Sequence, residues 1–171
     1  LSDEKFEFLS NYQKKISTAD ELKILDIIYQ KKSSLPKNIN DWINNKNSSI
    51  VILGIKLMTR YRESLTIPQI LHLLNNENIQ VRKETLNSIR ILYTVEANDL
   101  LLKYYSEESY NRNKISCLKT LGIIGNKDTK AYLLDILFKE KDLGIKFELV
   151  NCILKIDKNT FNDYKIEDSS E

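Results

Sequence analysis

Few side chains in this sequence are equipped for chemistry. It has one histidine, His72, and two cysteines, Cys117 and Cys152. Zinc needs several Cys or His ligands at close spacing, and no C-x-x-C pair occurs, so no metal is expected. A Cys–His nucleophile would need His72 to reach a distant thiol, and cysteines at apolar helix positions are usually inert core residues. The acidic pairs Glu107–Glu108 and Glu140 with Asp142 are of the right type for general acid–base work. No partner constellation accompanies them, and they read as solvated carboxylates in turns near helix ends. Tyr104 and Tyr105, beside Lys103, are of a type that stacks on bases, yet their register puts at least one in the core. The four glycines are scattered, with no phosphate-cradling loop, and Gly125 before "NKD" reads as a helix C-cap. The expectation is therefore a non-enzyme without catalytic residues or cofactors.

One further charge stands out. In "VRKETLNSIRILY", residues 81 to 93, Arg82 falls where an amphipathic helix should be apolar. Its meaning depends on the elements around it.

Composition points to helices. With 42% hydrophobic and 29% charged residues in 171, the chain suits one core or a short repeat array. Four Gly and two Pro are few for strands joined by tight turns. A net charge of +2 gives no global attraction to nucleic acid or anionic lipid. The longest uncharged apolar stretch, Ile50 to Ile55, is far short of the roughly 18 residues of a membrane span. The sequence opens on Leu1 and its only methionine is Met58. It reads as a sequence from which something upstream, a tag, signal peptide or membrane anchor, has been removed; the localisation expected is cytoplasmic, with a membrane tether through such a segment as the other reading.

Along the chain, "EKFEFLSNYQKKI" places Phe6, Leu9 and Ile16 on one side of a helix. "TADELKILDIIYQKK" shows a Thr18 or Asp20 cap before Leu22, Leu25, Ile28 and Tyr29. "SSLPKNIN" is a loop, and Trp42 and Ile43 follow in a short amphipathic turn. Helical spacing then predicts helices over Ile50–Arg62, Pro68–Leu74, Val81–Tyr93, Asn98–Tyr105, Asn113–Ile124, Thr129–Phe138 and Ile145–Ile156. Thr66 is the expected cap of the second, with Pro68 in its first turn.

These helices repeat. "VRKETLNSIRIL" (81–92), "NKISCLKTLGII" (113–124) and "IKFELVNCILKI" (145–156) superpose at steps of 32 residues. Thr85, Cys117 and Leu149 share an inward column, as do Leu86, Leu118 and Val150, and Ile89, Leu121 and Ile153. "LLLKYY" (100–105) and "YLLDILF" (132–138) match at the same step, and a weaker copy begins near Ser49 or Ile50. A two-helix unit cannot bury both faces alone, so neighbours must stack on it. The expected fold is all-α, a right-handed α-solenoid of stacked helical hairpins with a period of about 32. Residues 1–48 would be N-terminal helices or a degenerate cap, 49–157 the array, and 158–171 a tail or cap. Arg82 now shares a column with Lys114 and Lys146. That column lies within the apolar arc, where a long cation can bond carbonyls or carboxylates near helix ends, so the three read as structural rungs.

"VR" at 81–82 and "LGIIG" at 121–125 resemble HEAT-like repeats of the short variety found in phycobilisome lyases, over residues 49 to 157. Armadillo and tetratricopeptide repeats fit less well. The resemblance implies that second helices line a concave binding face, and that the rung cation pairs with an Asp in an inter-repeat ladder. This chain departs from the ladder, using Lys twice with no Asp at a fixed offset before it. The outward columns read Lys83, Ile115, Phe147; Glu84, Ser116, Glu148; Asn87, Lys119, Asn151; Arg90, Gly122, Leu154; and Ile91, Ile123, Lys155. From these, the surface expected to bind a protein or peptide partner is Lys83, Asn87, Arg90, Ile115, Lys119, Ile123, Phe147, Asn151 and Leu154. The function expected is a scaffold or adaptor. The alternative is a nucleic-acid-binding protein related to HEAT-like alkylpurine DNA glycosylases, which the mixed outward columns disfavour.

Overall fold

The apolar spacing becomes ten α-helices, and no strand, among the described residues of a computed structural model, which are 4–31, 35–62 and 67–162. They are α1 (Glu4–Ser10), α2 (Thr18–Lys31), α3 (Ile39–Ile43), α4 (Ser48–Tyr61), α5 (Ile67–Leu71), α6 (Ile79–Leu92), α7 (Asn98–Glu107), α8 (Asn111–Ile124), α9 (Lys127–Leu137) and α10 (Leu143–Ile156). Short 3-10 turns cover His72–Asn75 and Val95–Ala97. Among the described residues, no helix is long and apolar enough to cross a membrane. The chain divides into two compact units, Leu1–Leu92 and Tyr93–Glu171.

In the first unit α4 is the central element. Its Ile50, Leu53, Ile55 and Leu57 are wholly buried, and α6 packs along one side of it. On another side α3 approaches closely because residue 54 is glycine; a Cβ there would stand 3.0 Å from Ile43 Cγ2 and 3.2 Å from Trp42 Cβ. Trp42 is fully buried and donates from its indole to Ser10 Oγ at 3.2 Å. Asn38 and Asn45 donate to the hydroxyl and carbonyl of Ser10, at 2.9 and 2.6 Å, so α1 is fastened to α3 by polar bonds. Burial of the indole alone is worth about 3–5 kcal/mol against alanine. Toward the other end, Thr59 of α4 and Ser88 of α6 share a buried hydroxyl bond of 2.6 Å.

In the second unit α8 and α10 lie side by side, with α7 packed on α8 and α9 on α10. Leu118, Leu121, Leu149 and Ile153 are fully buried, with Leu101 of α7 and Leu133 of α9. Asn126 and Thr129 form a capping box at the head of α9, and Thr129 Oγ1 also donates to Asn98 Oδ1 at 2.6 Å. Asn98 and Thr129 are thereby paired inside the core rather than left as unsatisfied polar groups.

The turn before each of α4, α6, α8 and α10 closes the same way. Asn45, Asn76, Glu108 and Glu140 accept, through their side chains, the backbone N–H two residues on, at Asn47, Asn78, Tyr110 and Asp142. Asn47, Asn78 and Asp142 then cap the helices that follow by accepting from Ser49, Gln80 and Ile145. Each of the four helices has 14 residues. Each starts two residues before the start expected from apolar spacing (48, 79, 111 and 143 against 50, 81, 113 and 145), because the turn in front, not the apolar stripe, sets the first turn.

Other local details differ from the sequence reading. The helix from Thr18 is capped by Ser17, which accepts from Asp20 N at 3.1 Å and donates to the Asp20 carboxylate at 2.7 Å. The first helix ends at Ser10, and Ile16 is buried in the segment after it, its N–H on Ser49 Oγ at 3.2 Å. Gly125 does end α8, but with φ −68°, not the left-handed conformation usual for a C-cap glycine. Space requires glycine there, since a Cβ would stand 2.5 Å from Leu121 O and 2.9 Å from Ile156 Cδ1. Thr66 lies outside the described residues, as do the side chains of Phe6 and Pro68 and part of the "SSLPKNIN" loop.

Candidate interaction surface

Two anchors fix how α8 and α10 present their side chains. At their heads Asn111 Nδ2 donates to Asp142 Oδ2 at 2.9 Å, an offset of 31 residues. Further along, Gly122 faces Cys152 and Lys155, offsets of 30 and 33, with a virtual Cβ 3.4 Å from Cys152 Cα and 3.1 Å from Lys155 Cδ. The helices therefore run parallel in a register of about 32. Ile115, Lys119 and Ile123 on α8 lie level with Phe147, Asn151 and Lys155 on α10.

This pair exposes apolar groups among cations. Phe147 is 69% exposed and Ile123 41%, while Ile115, Asn151 and Leu154 are half-buried. Leu143, in the first turn of α10, is 80% exposed. The charged residues on the two helices are Arg112, Lys114, Lys119, Lys146 and Lys155 against a single acid, Glu148, which is buried. Among the described residues, neither Arg112, Lys119, Lys146 nor Lys155 is held in an ion pair. Nearby acids are engaged elsewhere: Glu140 and Asp142 on the backbone of the α10 turn, and Asp157 with Lys130 at 2.7 Å.

The binding residues expected in the first unit have a different setting. Lys83 is exposed, but Arg90 is half-buried and donates to Asn87 Oδ1 at 3.1 Å. Beside them a cleft of about 380 Å³ is lined by Leu25, Tyr29, Lys56, Arg60, Glu84 and Ile91, among others. Lys56 is bonded to Glu21, and the Arg60 guanidinium lies 5.6 Å from the Tyr29 ring centre. Burial pushes the Glu84 carboxyl above its ordinary value, against the pull of Lys56 and the Asn87 hydrogen bond. The column of Glu84, Ser116 and Glu148 is thus not outward. Glu148 is only 8% exposed.

The three rung positions find separate local settings. Arg82 Nη1 donates to the carbonyls of Asn76 and Glu77, at 2.9 and 3.0 Å, bracing the turn before its own helix. The Lys114 ammonium lies 5.4 Å from the centre of the Tyr105 ring, and Lys146 is exposed.

Neither thiol is set up as a nucleophile. Cys117 and Cys152 are both free and buried. Burial, reinforced by the neighbouring Cys152, pushes the Cys117 thiol far up; burial and Glu148 push Cys152 to about 12. A nucleophilic thiol needs the opposite shift. Tyr104 and Tyr105 are both buried, so neither is a stacking platform. Glu108 is not a solvated turn carboxylate. It is 6% exposed and accepts from Tyr104 OH, from Asn113 Nδ2 at 3.1 Å and from Tyr110 N at 3.0 Å. Apolar periodicity could not reveal that role; the recurring acceptor at positions 45, 76, 108 and 140 was the available signal. Among the described residues, no group of three or more His, Cys, Asp or Glu is placed to hold a metal. No family model matches the chain, and comparison with curated proteins and with solved structures finds no match.

Proposed function

We propose that this chain is a HEAT-like repeat scaffold, a right-handed α-solenoid of helical hairpins, that binds a protein partner through the outward surface of its second helices. The observation that carries the reading is the α8–α10 pair, where Phe147 and Ile123 stand exposed beside cations without ion-pair partners. Isolated apolar side chains on a surface need no explanation, but exposed apolar groups gathered on one pair of helices among polar and charged residues are typical of an interaction site. The recurrent turn before α4, α6, α8 and α10 supports the repeat half of the reading, since one local device recurs every 31 or 32 residues. Repeats of this kind supply a long surface without needing pocket chemistry.

The cations on α8 and α10 also favour a second reading, nucleic-acid binding. Against it, Phe147 is the one aromatic residue on those two helices, and Ile115, Ile123 and Leu154 offer nothing to a phosphate. Fluorescence anisotropy with a labelled DNA duplex at about 0.15 M salt separates the two. The scaffold reading expects no saturable binding in the micromolar range; tight binding that steepens as salt is lowered would replace it with the nucleic-acid reading.

A further inference from the structure

We infer that the face shared by α8 and α10 docks an acidic amphipathic helix of its protein partner. This rests on the scaffold reading and adds the partner's chemistry.

Geometry comes first. Two parallel helices of 14 residues present a groove about 21 Å long, at 1.5 Å per residue. Gly122 is buried where the two helices approach closely, and the aliphatic stem of Lys155 lies over it. A third helix laid along such a groove makes contacts at every third or fourth residue, the spacing of an amphipathic stripe. Ile115 and Leu154 are half-buried and flush with the surface, and Phe147 and Ile123 stand out as anchors.

Charge selects the sign of the partner. Lys119 and Lys155 are exposed next to the apolar positions, and α8 and α10 carry no exposed acid to balance them. Carboxylates flanking the partner's apolar stripe would meet both lysines, whereas a basic helix would meet uncompensated repulsion. An anionic bilayer would satisfy the lysines but needs its apolar contacts projecting together, and of the five apolar groups here Leu143, Phe147 and Ile123 project while Ile115 and Leu154 are half-buried. A duplex would satisfy the lysines and leave the apolar groups without partners.

The test uses the full chain and a fluorescein-labelled helical probe of about 16 residues, four turns or so, with Leu and Phe on one face and Glu on the other. A matched probe with Lys for Glu, phosphatidylcholine/phosphatidylserine vesicles and a DNA duplex serve as the other arms. The Glu probe is expected to bind and to weaken with added salt. Phe147→Ala and, separately, Lys119→Glu should each weaken it about tenfold or more, with unchanged melting temperature. Lys119→Glu alters an exposed side chain, so it remains informative if a core neighbour of Phe147 shifts. Equal binding of the Lys probe would overturn the acidic assignment while leaving a scaffold standing. Preference for vesicles or duplex would overturn both. Failure of the Glu probe to bind, or wild-type affinity in both variants, would overturn the inference alone.

Discussion

Asp142 holds two helices with one carboxylate. Its Oδ1 accepts the backbone N–H of Ile145 at 2.9 Å, capping α10, and its Oδ2 accepts from Asn111 Nδ2 at 2.9 Å, tying the head of α10 to that of α8. The face formed by these helices depends on their register, and this residue fixes one end of it. Asp142→Ala should cost about 1–2 kcal/mol, mainly as a lost N-cap. Asn111→Ala removes only the exposed tie and should cost about 0.5 kcal/mol or less. Urea denaturation measures both, and equal losses would contradict the division of roles.

Gly125 and Gly144 should respond oppositely to alanine. A Cβ on Gly125 would strike a backbone carbonyl at 2.5 Å and two core methyls at 2.9 Å, which cannot all yield. Overpacking of that kind costs about 1–3 kcal/mol. At Gly144, in the exposed first turn of α10, the one near atom is Asp142 Oδ1 at 3.2 Å. There alanine should be neutral or stabilise by up to about 0.5 kcal/mol. Thermal melts of the two variants check the contrast.

The thiols should be silent at neutral pH and matter only in alkali. With both buried, native protein should react with a thiol reagent only as fast as it opens, and at once in denaturant. The sign of the pH effect follows from Cys152, whose folded value near 12 exceeds its ordinary 9.0. The folded state keeps a proton that the unfolded chain releases, so stability is unaffected below about pH 9 and falls as pH rises from there toward 12. Cys152→Ala should reduce but not abolish that alkaline decline in denaturant titrations at several pH values, because the buried Cys117 thiol is shifted in the same direction.

Asp157 acts on the acid side. Its hydrogen bond from Lys130, 2.7 Å, and the backbone N–H of Asn159 hold its carboxyl below the ordinary 3.8. A depressed carboxyl contributes stability that is present above the unfolded value and lost as pH falls below it. Because the pair is partly exposed, the effect should be small and weaken with salt. Asp157→Asn should lower stability slightly at pH 7 and flatten the acid limb, the two proteins converging below about pH 4; an unchanged acid limb would contradict the assignment.

Much of the helical layout was legible because burial imposes a period. Thr85, Cys117 and Leu149, and likewise Ile89, Leu121 and Ile153, are buried at the step of 32 residues that also exposes the repeat. Helix starts were less legible, because Asn47, Asn78 and Asp142 act through hydrogen bonds that leave no trace in an apolar pattern. Arg62 and Tyr93, at φ 56° and 55°, follow α4 and α6 in a left-handed conformation with no glycine to signal it. In the candidate surface, Phe147 and Ile123 could be placed outward from register alone. The burial of Glu148 could not, since register alone does not say how closely neighbouring elements pack on a helix flank. That burial is what turns a mixed-looking surface into a basic one.

The most direct measurement is a backbone-amide NMR titration of the full chain with the acidic amphipathic probe. Shift changes should concentrate at Ile115, Lys119, Ile123, Phe147 and Leu154 and saturate with one probe per chain. Perturbations centred instead on the Tyr29–Arg60 cleft, or spread evenly over exposed lysines, would contradict the inferred docking face.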